Sequence, residues 1–203
     1  MILNSLISLF KRGITEPEKL WQEECLKKCE LTNFLKATAL PAIVIVSLLS
    51  TLMLLLFGYR MPFSNMVIHP TFAEAIGTFL SSILIFLLSI VLFGWLGAYI
   101  TSLLGGKFDI NKGAIMMFFI SIPSLVGKIF TPLPFIGALI AIAASIYSLV
   151  LLYKAPVIFL NLPQQNRTKA FILFLLGSIV LSILLSITLG WLFTTATPTL
   201  PQN

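Results

Sequence analysis

FAEAIGTFLSSILIFLLSIVLFGWLGAYITSLL, residues 72–104, carries a single charged side chain, Glu74, close to its start. A helix needs about 20 apolar residues to cross the hydrocarbon core of a bilayer. This run is longer than that, so the sequence predicts a transmembrane helix that tilts or projects from the membrane. Four further apolar runs accompany it, at about 37–57, 113–130, 135–153 and 169–193. None of the five has an Asp, Glu, Arg or His near its middle, and Glu74, Lys112, Lys128, Lys154 and Lys169 all fall near span ends. The expected fold is all-α: a polytopic membrane bundle of about five transmembrane helices. It divides into an N-terminal amphipathic segment at 1–36, the bundle at 37–193 and a tail at 194–203.

Composition points the same way. Of 203 residues, 58% are hydrophobic and 10% are charged, with a mean hydropathy of +1.04. A soluble domain carries about 25% charged residues, and a soluble fold of this size cannot hide so much apolar surface. The net charge is +6. Its basic residues flank apolar spans and are not interleaved with aromatics on a polar domain, which argues against a nucleic-acid partner and for membrane lipids.

Charge also predicts orientation. Lys11, Arg12, Lys19, Lys27, Lys28 and Lys36 precede the first span. Lys107 and Lys112 lie between spans two and three, and Lys154, Arg167 and Lys169 between spans four and five. The opposite side holds only Arg60 and Lys128. The positive-inside bias therefore predicts a cytoplasmic N-terminus and an external Thr/Pro-rich C-terminus.

Residues 1–36 are the one sizeable polar region. Ile2, Leu3, Leu6, Ile7 and Phe10 recur at helical spacing, which suits a helix lying on a membrane surface. Lys11 and Arg12 follow this apolar stretch, whereas a secretory signal would carry its charges in front. Gly13 is expected to break the helix, with Thr15 as N-cap and Pro17 in the first turn of a second, charged helix. Trp21 suits the headgroup layer. This helix either anchors the first span or offers Pro17 and Trp21 to a soluble partner.

Pro123 stands in the middle of span three between Ser121 and Ser124. It removes a backbone bond, and the hydroxyls are expected to recover the freed carbonyl. The result is a packing kink or a functional hinge. Lys128, Pro132 and Pro134 then predict a tight turn into span four. Inside a membrane, helices associate through small residues and interhelical hydrogen bonds. Ser178, Ser182, Ser186 and Gly190 form one such stripe, and Gly137, Ala141 and Ser145 another. Gly77 with Ser81 and Gly94 with Ala98 extend the pattern to span two. These stripes are expected to line the bundle interior; the alternative is a serine-lined polar pathway.

Catalytic equipment is sparse. His69 is the one histidine, beside Pro70 in a loop within reach of Glu74. Cys25 and Cys29 are too few ligands for zinc. Gly105-Gly106-Lys107 lacks the spacing of a phosphate loop. No catalytic residue, metal site or cofactor is expected, and the bare spans argue against proton-coupled transport.

The order of features resembles the Yip1 family, in particular its short bacterial members. The likeness begins at Pro17-Glu18-Lys19-Leu20-Trp21. It continues through Ile120-Ser121-Ile122-Pro123 and ends at Leu151-Leu152-Tyr153-Lys154-Ala155-Pro156 running into Phe159-Leu160-Asn161. Eukaryotic members act in Golgi and endoplasmic-reticulum trafficking and contact prenylated Rab-type GTPases. The acidic Asp-Leu-Tyr-Gly-Pro phrase of those members is missing here, and Phe118 and Phe119 stand where they carry a Gly-Tyr pair. The resemblance implies a bacterial inner-membrane protein, and the charged, Trp-bearing segment attached to a bundle without catalytic groups suggests a non-enzymatic role in organising or adapting other membrane components. Its partners would be lipids, other membrane proteins or a second copy of itself. The alternative is passive or lipid-coupled transport with a site among Ser121, Pro123 and Ser124.

Overall fold

In the computed structural model, residues 2–26, 30–60, 67–133 and 135–196 are described. The described residues form seven helices. Helices α1 (Ile2–Thr15) and α2 (Pro17–Leu26) come first. Gly13 does not break α1, contrary to expectation. The Glu16 amide still donates to the Arg12 carbonyl at 2.8 Å, and Leu20 to Glu16 at 3.2 Å. Thr15 is not an N-cap either; its hydroxyl donates backward to the Lys11 carbonyl at 3.0 Å. The chain bends at Glu16 because Pro17 has no amide hydrogen and its ring crowds the preceding turn.

Helix α3 (Leu31–Phe57) is the first span and starts a turn and a half earlier than the apolar run suggests. Its segment Leu35–Ala39 is a π turn. Pro41 follows one residue later, and a widened turn accommodates a proline ring inside a continuing helix. At the far end Gly58 takes φ of +70°, a conformation open to glycine, and turns the chain into a small hairpin. Strand β1 (Tyr59–Arg60) pairs antiparallel with β2 (Val67–Ile68), Tyr59 opposite Ile68.

Helix α4 (Phe72–Leu103) is the second span. Thr71 and Glu74 start it with a reciprocal cap: the Glu74 amide donates to Thr71 Oγ1 at 3.3 Å, and the Thr71 amide to Glu74 Oε2 at 2.7 Å. Its 32 residues make a rod of about 48 Å. Helix α5 (Ile110–Phe130) is capped by Asp109, whose Oδ1 accepts from the Lys112 amide at 3.0 Å. Helix α6 (Ile136–Phe159) continues through Pro156, six residues beyond the expected end at 153. Helix α7 (Arg167–Ala196) completes the chain's described part. Gly190 lies in this helix, but its surroundings, Cys29, Pro134 and the tail beyond Ala196 lie outside the described residues.

Among the described residues, five helices are long and apolar enough to cross a membrane, α3 to α7. Helix α5 is their centre. Of its apolar stretch 61% is buried, against 28% at most in the others. Helices α3, α4 and α6 pack around it, together with α1. The α4–α5 crossing is backbone on backbone: a Cβ added at Gly94 would stand 2.5 Å from the Ala114 Cα. Two loops close one end of the bundle, which also carries Lys107, Lys112, Arg167 and Lys169. There the Lys107 amide donates to the Leu160 carbonyl at 2.8 Å, and Asn166 Nδ2 to the Leu104 carbonyl at 2.8 Å. The hairpin marks the other end.

Candidate functional site

The feature with most chemistry is a strap made of α1 and α2, fastened along α5 and α6. Its base is aromatic. Trp21 is fully buried, its ring 5.9 Å from that of Phe159. Phe159 stacks on Phe119 at 6.1 Å, and Phe34 meets Phe118 edge-on at 5.3 Å. Such aromatic pairs add to the burial of their large apolar areas. This places Trp21 inside the bundle, not in a headgroup layer or on a docking surface as the sequence suggested. A lone tryptophan in a charged helix reads as amphipathic, and its partner lies far along the chain. Its Nε1 finds no acceptor among the described residues. Pro17 is half-buried at the start of the same helix.

Further along, the strap climbs beside α6. Glu18 Oε1 meets Lys154 Nζ at 2.6 Å, and the Tyr147 hydroxyl donates to the Ile14 carbonyl at 2.7 Å. Gly13 then lies directly on Ile122 of α5, where an added Cβ would come within 2.7 Å of the Ile122 Cδ1. The glycine that looked like a helix breaker is a point of close approach. Arg12 and Glu23 pair at 2.6 Å along the outer edge of the bend, and Lys19 pairs with Glu16 at 2.9 Å. The hydrogen bond and charge of Lys19 hold the Glu16 carboxyl below its ordinary range. Between strap and α6 an open cleft of about 380 Å³ is lined by Thr15, Glu16, Pro17, Glu18, Lys19, Tyr147 and Lys154.

The surroundings of Pro123 are different. Pro123 is buried, as are Ile122 and Leu125. Proline at this position frees the Phe119 carbonyl, four residues back. Ser121 instead donates to the Phe118 carbonyl at 2.7 Å, and Ser124 bonds Ser148 of α6 at 2.9 Å. The two hydroxyls thus serve a neighbouring turn and a neighbouring helix. A groove of about 100 Å³ touches Ser121, and apolar side chains with Ser89 make up the rest of its wall.

The small-residue stripes split by depth. A Cβ at Gly137 would collide with the Phe130 carbonyl, and Gly127 faces Ala141 and Ala144. Ser145, one turn on from Ala141, is exposed and bonds back to the Ala141 carbonyl at 2.8 Å. In α7 the packed residues are Ala170, Phe174 and Gly177, with Gly177 against Leu96. Ser178 is half-buried, while Ser182 and Ser186 are exposed. The expectation that this stripe lines the interior therefore fails at Ser182 and Ser186, which face outward from the packing of Phe174 and Gly177. Gly94 and Ala98 are buried, but Gly77 faces open space and Ser81 is half-buried.

Sequence reading missed three devices: the Thr71–Glu74 cap, the Glu18–Lys154 pair and Tyr147. The first had a signal in its Thr-x-x-Glu spacing. The others join residues more than a hundred positions apart, and nothing local announces them. His69 does not meet Glu74; its Nδ1 lies 3.4 Å from the Leu55 carbonyl. No group of three or more His, Cys, Asp or Glu side chains forms a metal cluster among the described residues.

Five membrane-length apolar helices, one of them buried at the centre, define an integral, polytopic α-helical membrane protein. No family model, curated protein or solved structure matches the chain.

Proposed function

We propose that this chain is a non-enzymatic inner-membrane protein of the Yip1 type, organising other membrane components from its cytoplasmic face. The observation that carries the reading is the strap. Its inner face is built into the bundle through Trp21, while Gln22 and Glu23 remain exposed on its outer edge. A polar edge held against the bundle by a buried tryptophan suits recognition. The basic residues of the loops at that end support a cytoplasmic orientation. Phe118 and Phe119, at the place of the family's Gly-Tyr pair, give the cytoplasmic half an aromatic core of its own.

The test is site-specific photo-crosslinking from Gln22 in native membranes. Deleting the whole segment would remove Trp21 from the core and unfold what it is meant to probe. Discrete protein adducts from Gln22, lost when Glu23 is changed to Ala, are the expected result. Adducts to lipid alone would overturn the reading. The alternative, transport at Pro123, has weaker support: that residue is buried and its serines are engaged.

A further inference from the structure

The cleft beneath the strap runs from near the end of α6 toward its middle. Tyr147 is about 16 Å along α6 from Ile136 and about 18 Å from Phe159, near the midpoint of a membrane-length helix. Ile122, which carries Gly13, is about 18 Å from the start of α5. The neighbouring outward residues of α6, Ile142, Ile146, Leu149 and Val150, are exposed and apolar. A polar notch therefore opens sideways into a surface that meets acyl chains. Its charged side chains gather near the end of α6, where Lys154 lies about 8 Å from Phe159, so the notch runs from the level of lipid headgroups inward to Tyr147.

The charges in the notch balance. Lys154 sits on Glu18 and Lys19 on Glu16, so two ammonium groups and two carboxylates face one open space, with the hydroxyls of Thr15 and Tyr147 at its rim. An anionic ligand would meet as much repulsion as attraction. A zwitterion meets neither excess: its phosphate can share the two lysines while its ammonium shares the two carboxylates. At about 380 Å³ the opening lies within the size range of small-ligand sites. A molecule with such an end and acyl chains attached matches both the notch and the surface around it.

We propose that this cleft binds the headgroup of a zwitterionic phospholipid of the phosphatidylethanolamine class, entering sideways from the bilayer. The site requires only that the bundle sits in a membrane, and is independent of any protein partner at the strap's outer edge.

The experiment uses the full chain in nanodiscs of equal phosphatidylethanolamine and phosphatidylglycerol, with bound lipid counted by native mass spectrometry after detergent release. Wild type is expected to retain one phosphatidylethanolamine in preference to phosphatidylglycerol. The double variant Glu18→Gln with Lys154→Gln should lose that preference roughly tenfold, the equivalent of one good polar contact. The reversed pair, Glu18→Lys with Lys154→Glu, keeps the ion pair and should recover most of it, which separates lost binding from lost folding. Lys128→Gln, at the opposite end of the bundle, should behave as wild type. Equal retention of the two lipids by wild type, or an unchanged preference in the Gln pair, would overturn the proposal. So would displacement of the lipid by soluble phosphoethanolamine, which would make a free metabolite the ligand.

Discussion

Gly94 and Gly77 occupy the same helix and illustrate how differently one residue type can act. Gly94 lets the α4 backbone touch α5, and no side chain fits there without moving one helix. Gly94→Val should destabilise the protein by about 1–3 kcal/mol, as overpacked cores do, measured by denaturant titration in detergent micelles. Gly77 meets nothing within 4 Å. Gly77→Ala should therefore leave stability unchanged or raise it by up to about 1 kcal/mol through helix propensity. Both glycines lie in small-residue pairs, and the pattern alone does not separate them. Glu16 carries a pH dependence of small size. Its lowered folded value means that its contribution is complete above the ordinary carboxyl value of 4.5 and fades as pH falls through the folded value. Hydrogen exchange at the Lys11–Leu20 bend should accelerate in that acid range, and Glu16→Gln should abolish the pH response. Because the carboxylate is fully exposed, solvent screening keeps the effect local.

The spans themselves were legible because apolar length is a property of each segment alone. Runs at 37–57 and 113–130 needed no knowledge of neighbours. What escaped were the continuations, three residues ahead of Gly113, six ahead of Ala37 and six after Tyr153, where polar residues join helices whose packing lies elsewhere. Pro156 reads as a stop, yet α6 runs through it. Arg167 lies over the Tyr153 ring at 4.1 Å and donates to the Tyr153 carbonyl at 2.6 Å, which ties the last turns of α6 to α7. The outer half of α7 carries a further prediction. Ser182→Leu and Ser186→Leu together should shift unfolding by no more than about 0.5 kcal/mol, since neither hydroxyl faces the bundle. If the same variant lost a dimer by light scattering, the stripe would belong to self-association.

At the scale of the whole molecule, the charge bias predicts which face meets the cytoplasm, and chemical labelling can read it. His69→Cys, just after the hairpin, should react with an impermeant maleimide on intact cells. Lys107→Cys should react only after permeabilisation, with native Cys25 and Cys29 changed to Ser in both backgrounds. The reverse pattern would invert the proposed orientation. The centre of the bundle was only half visible in the sequence. Helix α5 has the least regular apolar run, interrupted by Gly113, Pro123 and Gly127, and at the two glycines neighbours come close. The strap was invisible for a simpler reason: charge patterning cannot tell a helix lying on a membrane from one wedged between spans.

That wedge imposes an order on biosynthesis. Trp21 is made early, but the ring it rests on, Phe159, is polymerised 138 residues later. At about 5–20 residues per second, that delay is roughly 7–28 s. Through that interval the nascent chain holds an unsheltered indole and a row of charges with nowhere to dock. Anything at the ribosome exit or the insertion machinery that shields such a segment would govern the yield of correctly threaded protein, before a single folded copy exists.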